Sequence, residues 1–245
     1  MPVSEPPRAL LGARAARPGM SAACSQDTSP LHAAVRASDT AAIRAHLDAR
    51  PNDVDVEDLE GATPLHVAVA ESFCLASCRA LLAKGADPNR VDPRDGEGMA
   101  PLHRAVVNGD ECEPIALALL ASGARIDGTT GGPGGLSPLH LAARSGHDAL
   151  ARLLISRGAD VNTRARDGCT PLHLAAAGGH ESTVKLLLEH RADRRAKNNE
   201  FLTPDYVAAR AAHAGVADLI LGPRDTRGVN APHKKKKTSR HRRHQ

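Results

Sequence analysis

Residues 168–191 read GCTPLHLAAAGGHESTVKLLLEHR, and they lay out two short helices with a turn between them. Thr170 carries a hydroxyl that suits a helix N-cap, and Pro171 fits the first helical position, where its missing N–H costs nothing. Leu172, Ala175 and Ala176 recur at helical spacing, and the Gly178-Gly179 pair ends the run. A second helix begins near Glu181, whose carboxylate favours a helix N-terminus, and Val184, Leu187 and Leu188 form its apolar stripe. Each helix falls short of the ~12–15 residues at which isolated helices become marginal in water, so a neighbour has to cover the stripe.

The neighbour is another copy of the same unit. SPLHAA starts at Ser29, TPLHVA at Thr63, APLHRA at Ala100, SPLHLA at Ser137, TPLHLA at Thr170 and TPDYVA at Thr203. The prolines at 30, 64, 101, 138, 171 and 204 are therefore spaced by 34, 37, 37, 33 and 33 residues. The stripe returns as Cys78, Leu81, Leu82; Ala116, Leu119, Leu120; Ala151, Leu154, Ile155; and Ala217, Ile220, Leu221, with Ile43, His46, Leu47 in the first copy. Self-similarity at a fixed period marks a stacked array, which makes one elongated domain and a long surface instead of a deep catalytic pocket.

Composition agrees. The 245 residues hold three aromatics, Phe73, Phe201 and Tyr206, and no Trp, so the core is built from Ala, Leu, Val and Ile. That scarcity argues against single-strand nucleic-acid modules, which stack bases on aromatic platforms. Cys24, Cys74, Cys78, Cys112 and Cys169 are odd in number and form no CxxC, which fits reduced thiols in nucleus or cytoplasm better than a secreted disulfide framework. No apolar run approaches the ~18–20 residues that cross a bilayer.

These features resemble the ankyrin repeat family. Its pattern of Gly before TPLH, then LAA, a Gly-His pair, a Val-x-x-Leu-Leu stripe and Gly-Ala-Asp-x-Asn is matched best by residues 135–199, with Gly146-His147, Gly179-His180, Gly85-Ala86-Asp87-Pro88-Asn89 and Gly158-Ala159-Asp160-Val161-Asn162. The resemblance covers residues 26–221 in six copies, at about 26–58, 59–95, 96–132, 133–165, 166–198 and 199–221. It implies an all-α solenoid of stacked helix–loop–helix units with projecting β-hairpin-like loops, and a monomer. The first and last copies depart from the pattern as caps do: Arg50-Pro51 replaces Gly-Ala, and Asp205-Tyr206 replaces Leu-His. Copy 3 has Ala100 at the cap position, and Asp110–Pro114 lengthens its interhelical turn. The loops at 92–98 and 128–135 are enlarged, the second (GTTGGPGG) being expected to be very flexible.

The resemblance also implies where a partner docks: on loop tips and first-helix faces of the concave side. Carried onto this chain, those positions are Leu59, Glu60, Ala62, Ala70 and Glu71, then Gly96, Glu97, Met99, Val107 and Asn108. They continue as Leu136, Arg144 and Ser145, then Arg166, Asp167, Cys169 and Ala177, and last Asn199, Glu200 and Leu202. Acids early and arginines late suggest a protein partner of graded charge, and the expected role is a non-enzymatic scaffold or adaptor.

Chemical candidates reduce to framework. His32, His66, His103, His140 and His173 fall one per copy, so they do not converge on an ion, and metal ligation needs several ligands at one centre. Cys74 and Cys78 are four apart, but Cys78 holds the buried stripe position, where a thiol acts as a small hydrophobe. GTTGGPGG lacks the Gly-Lys-Ser/Thr of a phosphate cradle, no catalytic motif appears, and no cofactor or metal is expected.

The tails differ from the array. Residues 1–25 are read as a disordered lead, broken by Pro2, Pro6, Pro7 and Pro18, with Met20 as an alternative start to Met1. Residues 222–245 form a basic disordered tail. Lys234, Lys235, Lys236, Lys237, Arg240, Arg242 and Arg243 carry +7 with no acid between 232 and 245, which leaves −3 of the total +4 on the rest of the chain. Such a strip suits an import receptor and a nuclear location, or a phosphate backbone bound through counterion release. A ubiquitin-ligase substrate adaptor, another role known among such proteins, would need a recruiting box that the short polar stretch after Leu221 does not supply.

Overall fold

The computed structural model describes residues 29–222. Twelve α-helices occur among them, two per copy: α1 (Pro30–Arg36) and α2 (Thr40–Ala49), α3 (Pro64–Val67) and α4 (Leu75–Ala83), α5 (Pro101–Asn108) and α6 (Glu113–Ala121), α7 (Pro138–Ser145) and α8 (Asp148–Ser156), α9 (Pro171–Gly178) and α10 (Glu181–Glu189), α11 (Pro204–Arg210) and α12 (Ala214–Leu221). The odd-numbered helices pack side by side as one row and the even-numbered ones as a second. Loops are held as turns, each closed by a backbone bond such as Asp58 N–H to Ala62 O or Ala165 N–H to Cys169 O, and an isolated antiparallel bridge joins Asp92 and Met99.

The core lies between the rows. Leu31, Leu65, Leu102, Leu139 and Leu172 are buried from the first helices, and Leu81, Leu119, Leu154, Leu187 and Ile220 from the second. Each such side chain contributes roughly 1.5–3 kcal/mol on removal from water, and Ala at 105, 142, 175 and 176 lets the short helices approach closely.

The copies differ in one way that the recurring phrase conceals. Thirteen residues separate proline from stripe in most copies (Pro171 to Val184), but fourteen in copy 2 (Pro64 to Cys78) and fifteen in copy 3 (Pro101 to Ala116). Copy 2 takes up its extra residue as a π turn, Ala68–Ser72, closed by Phe73 in the left-handed region at φ 48°. Copy 3 takes up two as a 3-10 turn, Asp110–Cys112. The stripe therefore stays in register for stacking.

The glycine-rich loop is not the loose segment expected from its composition. Thr130 is buried, its N–H donates to the Leu136 carbonyl (2.9 Å), and its Oγ1 accepts from the Leu136 N–H (3.1 Å). Gly131 and Gly132 donate to the carbonyls of Gly98 (3.0 Å) and Glu97 (2.6 Å) in the preceding loop. Glycine is needed for that approach, because a Cβ on Gly132 would stand 2.8 Å from the Glu97 Cα and 3.0 Å from its carbonyl oxygen. On the other side, Arg166 N–H donates to the Gly134 carbonyl (3.1 Å), and Asn199 ties its N–H to Asp167 O and its Nδ2 to Arg166 O, each at 2.9 Å. The loop tips are thus stitched copy to copy.

Candidate protein-docking face

Histidines of the repeated phrase join each copy to the next. In copy 4, Ser137 N–H (3.2 Å) and Oγ (2.8 Å) both donate to His140 Nδ1, so the ring proton sits on Nε2, which donates to the Cys169 carbonyl at 3.0 Å. His66 and His173 repeat the arrangement with Thr63 and Thr170, reaching Arg90 O (2.9 Å) and Leu202 O (3.1 Å). In copy 3, Ala100 has no hydroxyl and gives only its N–H to His103 Nδ1, while Nε2 reaches Gly128 O. His32 bonds Ala62 O through Nε2, and its Nδ1 is unpaired among the described residues. Where loops are enlarged, the histidine meets the start of the next loop (Arg90, Gly128); elsewhere it meets the end (Ala62, Cys169, Leu202). Burial pushes His32, His66, His140 and His173 below the usual imidazole range, more than their carbonyl bonds raise them. These rings are neutral struts of the stack.

Those bonds explain a correction. Ala62, Met99 and Cys169, expected at the docking face, are buried. They lie between loop tip and helix start, where Ala62 O and Cys169 O accept from the preceding histidine and Met99 O accepts from Asp92 N–H (2.9 Å). Ala62 and Met99 are thereby withheld from a partner, and Cys169 offers only the small part of its surface that lines the groove beside α9. Leu59, Glu60, Glu71, Val107, Arg144, Ser145, Arg166, Asp167, Ala177, Asn199 and Glu200 are exposed, and Ala70, Glu97, Asn108, Leu136 and Leu202 are half-buried. Asn108 is partly spent on the stack, since its Nδ2 donates to Val69 O at 2.9 Å.

The early acids are engaged as well. Glu71 pairs with Arg36 (2.8 Å) and Arg94 (3.2 Å); Arg36 also faces Asp58 (3.5 Å), and Arg94 faces Asp92 (2.9 Å) and Glu60 (3.8 Å). Burial raises the Asp92 carboxyl, and hydrogen bonds from Arg94 outweigh that and hold it below the usual carboxylate range. Four carboxylates here share two guanidiniums, so copies 1–3 keep an acidic surplus that is smaller than the sequence suggests. Arg144 and Arg166 have no carboxylate within 4.0 Å among the described residues.

Two aromatic side chains that the sequence reading left out are exposed in the last copy. Phe201 is 79% exposed at the last loop tip, and Tyr206 is half exposed on α11. Between α9 and α11 runs an open groove of about 330 Å³, lined by Leu174, Ala177, Leu202, Val207 and Ala211 together with Cys169, His173, Asn198, Glu200 and Arg210. A larger concavity, about 790 Å³, lies against α10 and α12 on the other row and ends at Gly222, the last described residue. Among the described residues no three His, Cys, Asp or Glu side chains gather as a metal site would require, and no helix is long and apolar enough to cross a membrane. The basic strip from Lys234 to Arg243, the lead 1–25 and Cys24 lie outside the described residues.

Compared with protein-family models, the chain matches the one described as ankyrin repeats (3 copies) in four overlapping spans, residues 8–92, 31–130, 90–165 and 139–231. No curated protein matches it.

Proposed function

Since the chain belongs to the ankyrin repeat family, we propose that it is a non-enzymatic scaffold or adaptor that holds a protein partner on its loop tips and first-helix face. Ankyrin repeats serve protein–protein interaction in general, and the finer reading rests on how side chains are spent in this chain. The histidines, the Asp92–Arg94 pair and the tip-to-tip bonds are consumed by the stack, whereas Leu59, Arg144, Arg166, Ala177 and Phe201 are exposed and do little for it. Exposed aromatic and Arg side chains on a rigid frame are the kind that anchor interfaces. The test is affinity purification with the intact chain and with a form lacking 232–245, read by mass spectrometry. The same partners should be captured by both forms, and Arg144→Glu with Arg166→Glu should weaken at least one of them about tenfold or more, ~1.4 kcal/mol. Loss of every partner with the tail, or indifference of all of them to the double reversal, overturns this reading.

For the tail, the reading is an address recognised by a nuclear import receptor. It is supported by the +7 carried by Lys234–Lys237, Arg240, Arg242 and Arg243. A reporter fused to residues 222–245 should concentrate in nuclei and lose that when the four lysines become Ala. Salt-sensitive nucleic-acid binding by the tail, without nuclear concentration, would favour the alternative, direct contact with nucleic acid.

A further inference from the structure

Cys74 holds a place that copy 1 gives to a carboxylate. The residue just before the second helix is Asp39 in copy 1 and Cys74 in copy 2, with closely similar backbones, φ −82° and ψ 89° against φ −93° and ψ 104°. Asp39 Oδ1 accepts from the N–H groups of Ala41 and Ala42, at 3.1 and 3.0 Å. Their counterparts in copy 2 are the N–H groups of Ala76 and Ser77, at the second and third positions of α4, where no carbonyl of the same helix can reach them. Both face the Cys74 sulfur. The helix start is thus arranged for a negative charge, and a thiol supplies one only by losing its proton.

A second group points the same way. Ser77 is fully buried, and its Oγ makes no hydrogen bond among the described residues. A helical serine commonly gives its hydroxyl to a carbonyl one turn earlier, and a buried donor left unspent is costly. This hydroxyl lies beside the Cys74 sulfur, and a thiolate there is the acceptor it lacks. It is the chief reason that the Cys74 thiol is held below its usual range; the Ser77 and Ala76 N–H groups and the Ser38 hydroxyl of copy 1 act with it, against burial. Cys74 is half-buried and so within reach of solvent. The other described thiols are the reverse: Cys78, Cys112 and Cys169 are buried, and burial pushes them up, Cys78 to about 12 and Cys169 to about 11.

We propose that Cys74 is a thiol-modification site, which takes up a mixed disulfide from a small disulfide of the glutathione type. The Cys74 proton passes to water, and the thiolate sulfur attacks one sulfur of the small disulfide. A new S–S bond forms as the old one breaks, and the other half leaves as a thiolate with the bonding pair. Cys74 is oxidised and the departing half is reduced, so the exchange needs no further oxidant. Cys78 stands four residues on, but so little of it is thiolate that it does not displace the adduct, which persists. The site is separate from the docking face and does not depend on the scaffold reading.

The test treats the reduced full chain with oxidised glutathione and follows each thiol by peptide mass mapping. Cys74 should gain the adduct about tenfold or more faster than Cys78, Cys112 or Cys169. Alkylation by iodoacetamide across a pH series should reach half its maximum at lower pH for Cys74 in the folded chain than in urea. Ser77→Ala should move that midpoint upward and slow the adduct about threefold or more at neutral pH. Its melting temperature should be unchanged or higher, because the unspent hydroxyl is gone. An adduct that forms first on the buried thiols, a midpoint equal to that in urea, or a Ser77→Ala chain that reacts as the parent does overturns the proposal. A Ser77→Ala chain that melts well below the parent would mean that the hydroxyl serves the fold instead, and overturns it too.

Discussion

Lowering the pH from about 7.5 to about 5.5 should destabilise this array, by no more than ~5.5 kcal/mol. His32, His66, His140 and His173 are neutral in the fold, held below the usual 6.5 mainly by burial. Nδ1 of the last three also accepts from backbone N–H and hydroxyl groups, so protonation would set two donors against each other. The unfolded chain takes up these protons near 6.5. The histidine contribution is therefore fully present above that value and is lost as pH falls from it toward the lower folded-state values. Each histidine contributes at most ~1.4 kcal/mol per pH unit inside the window, so four together set a ceiling of ~5.5 kcal/mol per unit. Asp92 adds a second loss at lower pH: its carboxyl is held below the usual 3.8, so its pairing with Arg94 stabilises above that value and fades as pH falls through the folded-state value. Urea titrations at successive pH values should show the midpoint falling steeply below about pH 6.5. An equal midpoint at both ends of the range would refute the neutral-strut account.

How far the chain could be read in advance depends on how local each cause is. The start of α9 at Pro171 and its end at Gly179, with φ 72°, follow from side chains within one or two residues of the event, and they were legible. The one-per-copy setting of the histidines was legible for the same reason. What escaped depends on long separations or on comparison between copies. Arg36 and Glu71 are 35 positions apart, so nothing near Glu71 announces that its charge is already satisfied. GTTGGPGG is tied down by the carbonyls of Glu97 and Gly98 in the preceding loop, more than thirty positions earlier, while its composition alone speaks for freedom. Ala62, Met99 and Cys169 look like loop residues until the previous histidine is seen to close over the first and last of them. The π turn at Ala68–Ser72 is invisible unless residues are counted from Pro64 to Cys78.

Removing one central strut should divide the stack. His140→Ala leaves the Cys169 carbonyl and the Ser137 N–H without their partners and opens a void at a fully buried site. An unsatisfied buried group costs ~1–3 kcal/mol and the missing ring adds packing loss, so a total near 3 kcal/mol is expected. His32→Ala should cost about half as much, because its Nδ1 is already unpaired among the described residues and only the Ala62 carbonyl is abandoned. The position of the damage matters as much as its size. Coupling in a stacked array runs through nearest neighbours, so loss at the boundary between copies 4 and 5 lets copies 5 and 6 open without the rest. Two thiols report on this separately. Cys169, whose thiol burial pushes up to about 11, sits at the weakened joint; Cys78, pushed up to about 12, is buried two copies away. Labelling by a disulfide reagent under native conditions should speed up about tenfold or more at Cys169 in His140→Ala while Cys78 stays protected. Equal acceleration of both thiols would mean that the array unfolds as one unit, and no acceleration at either would mean that His140 is not a joint at all.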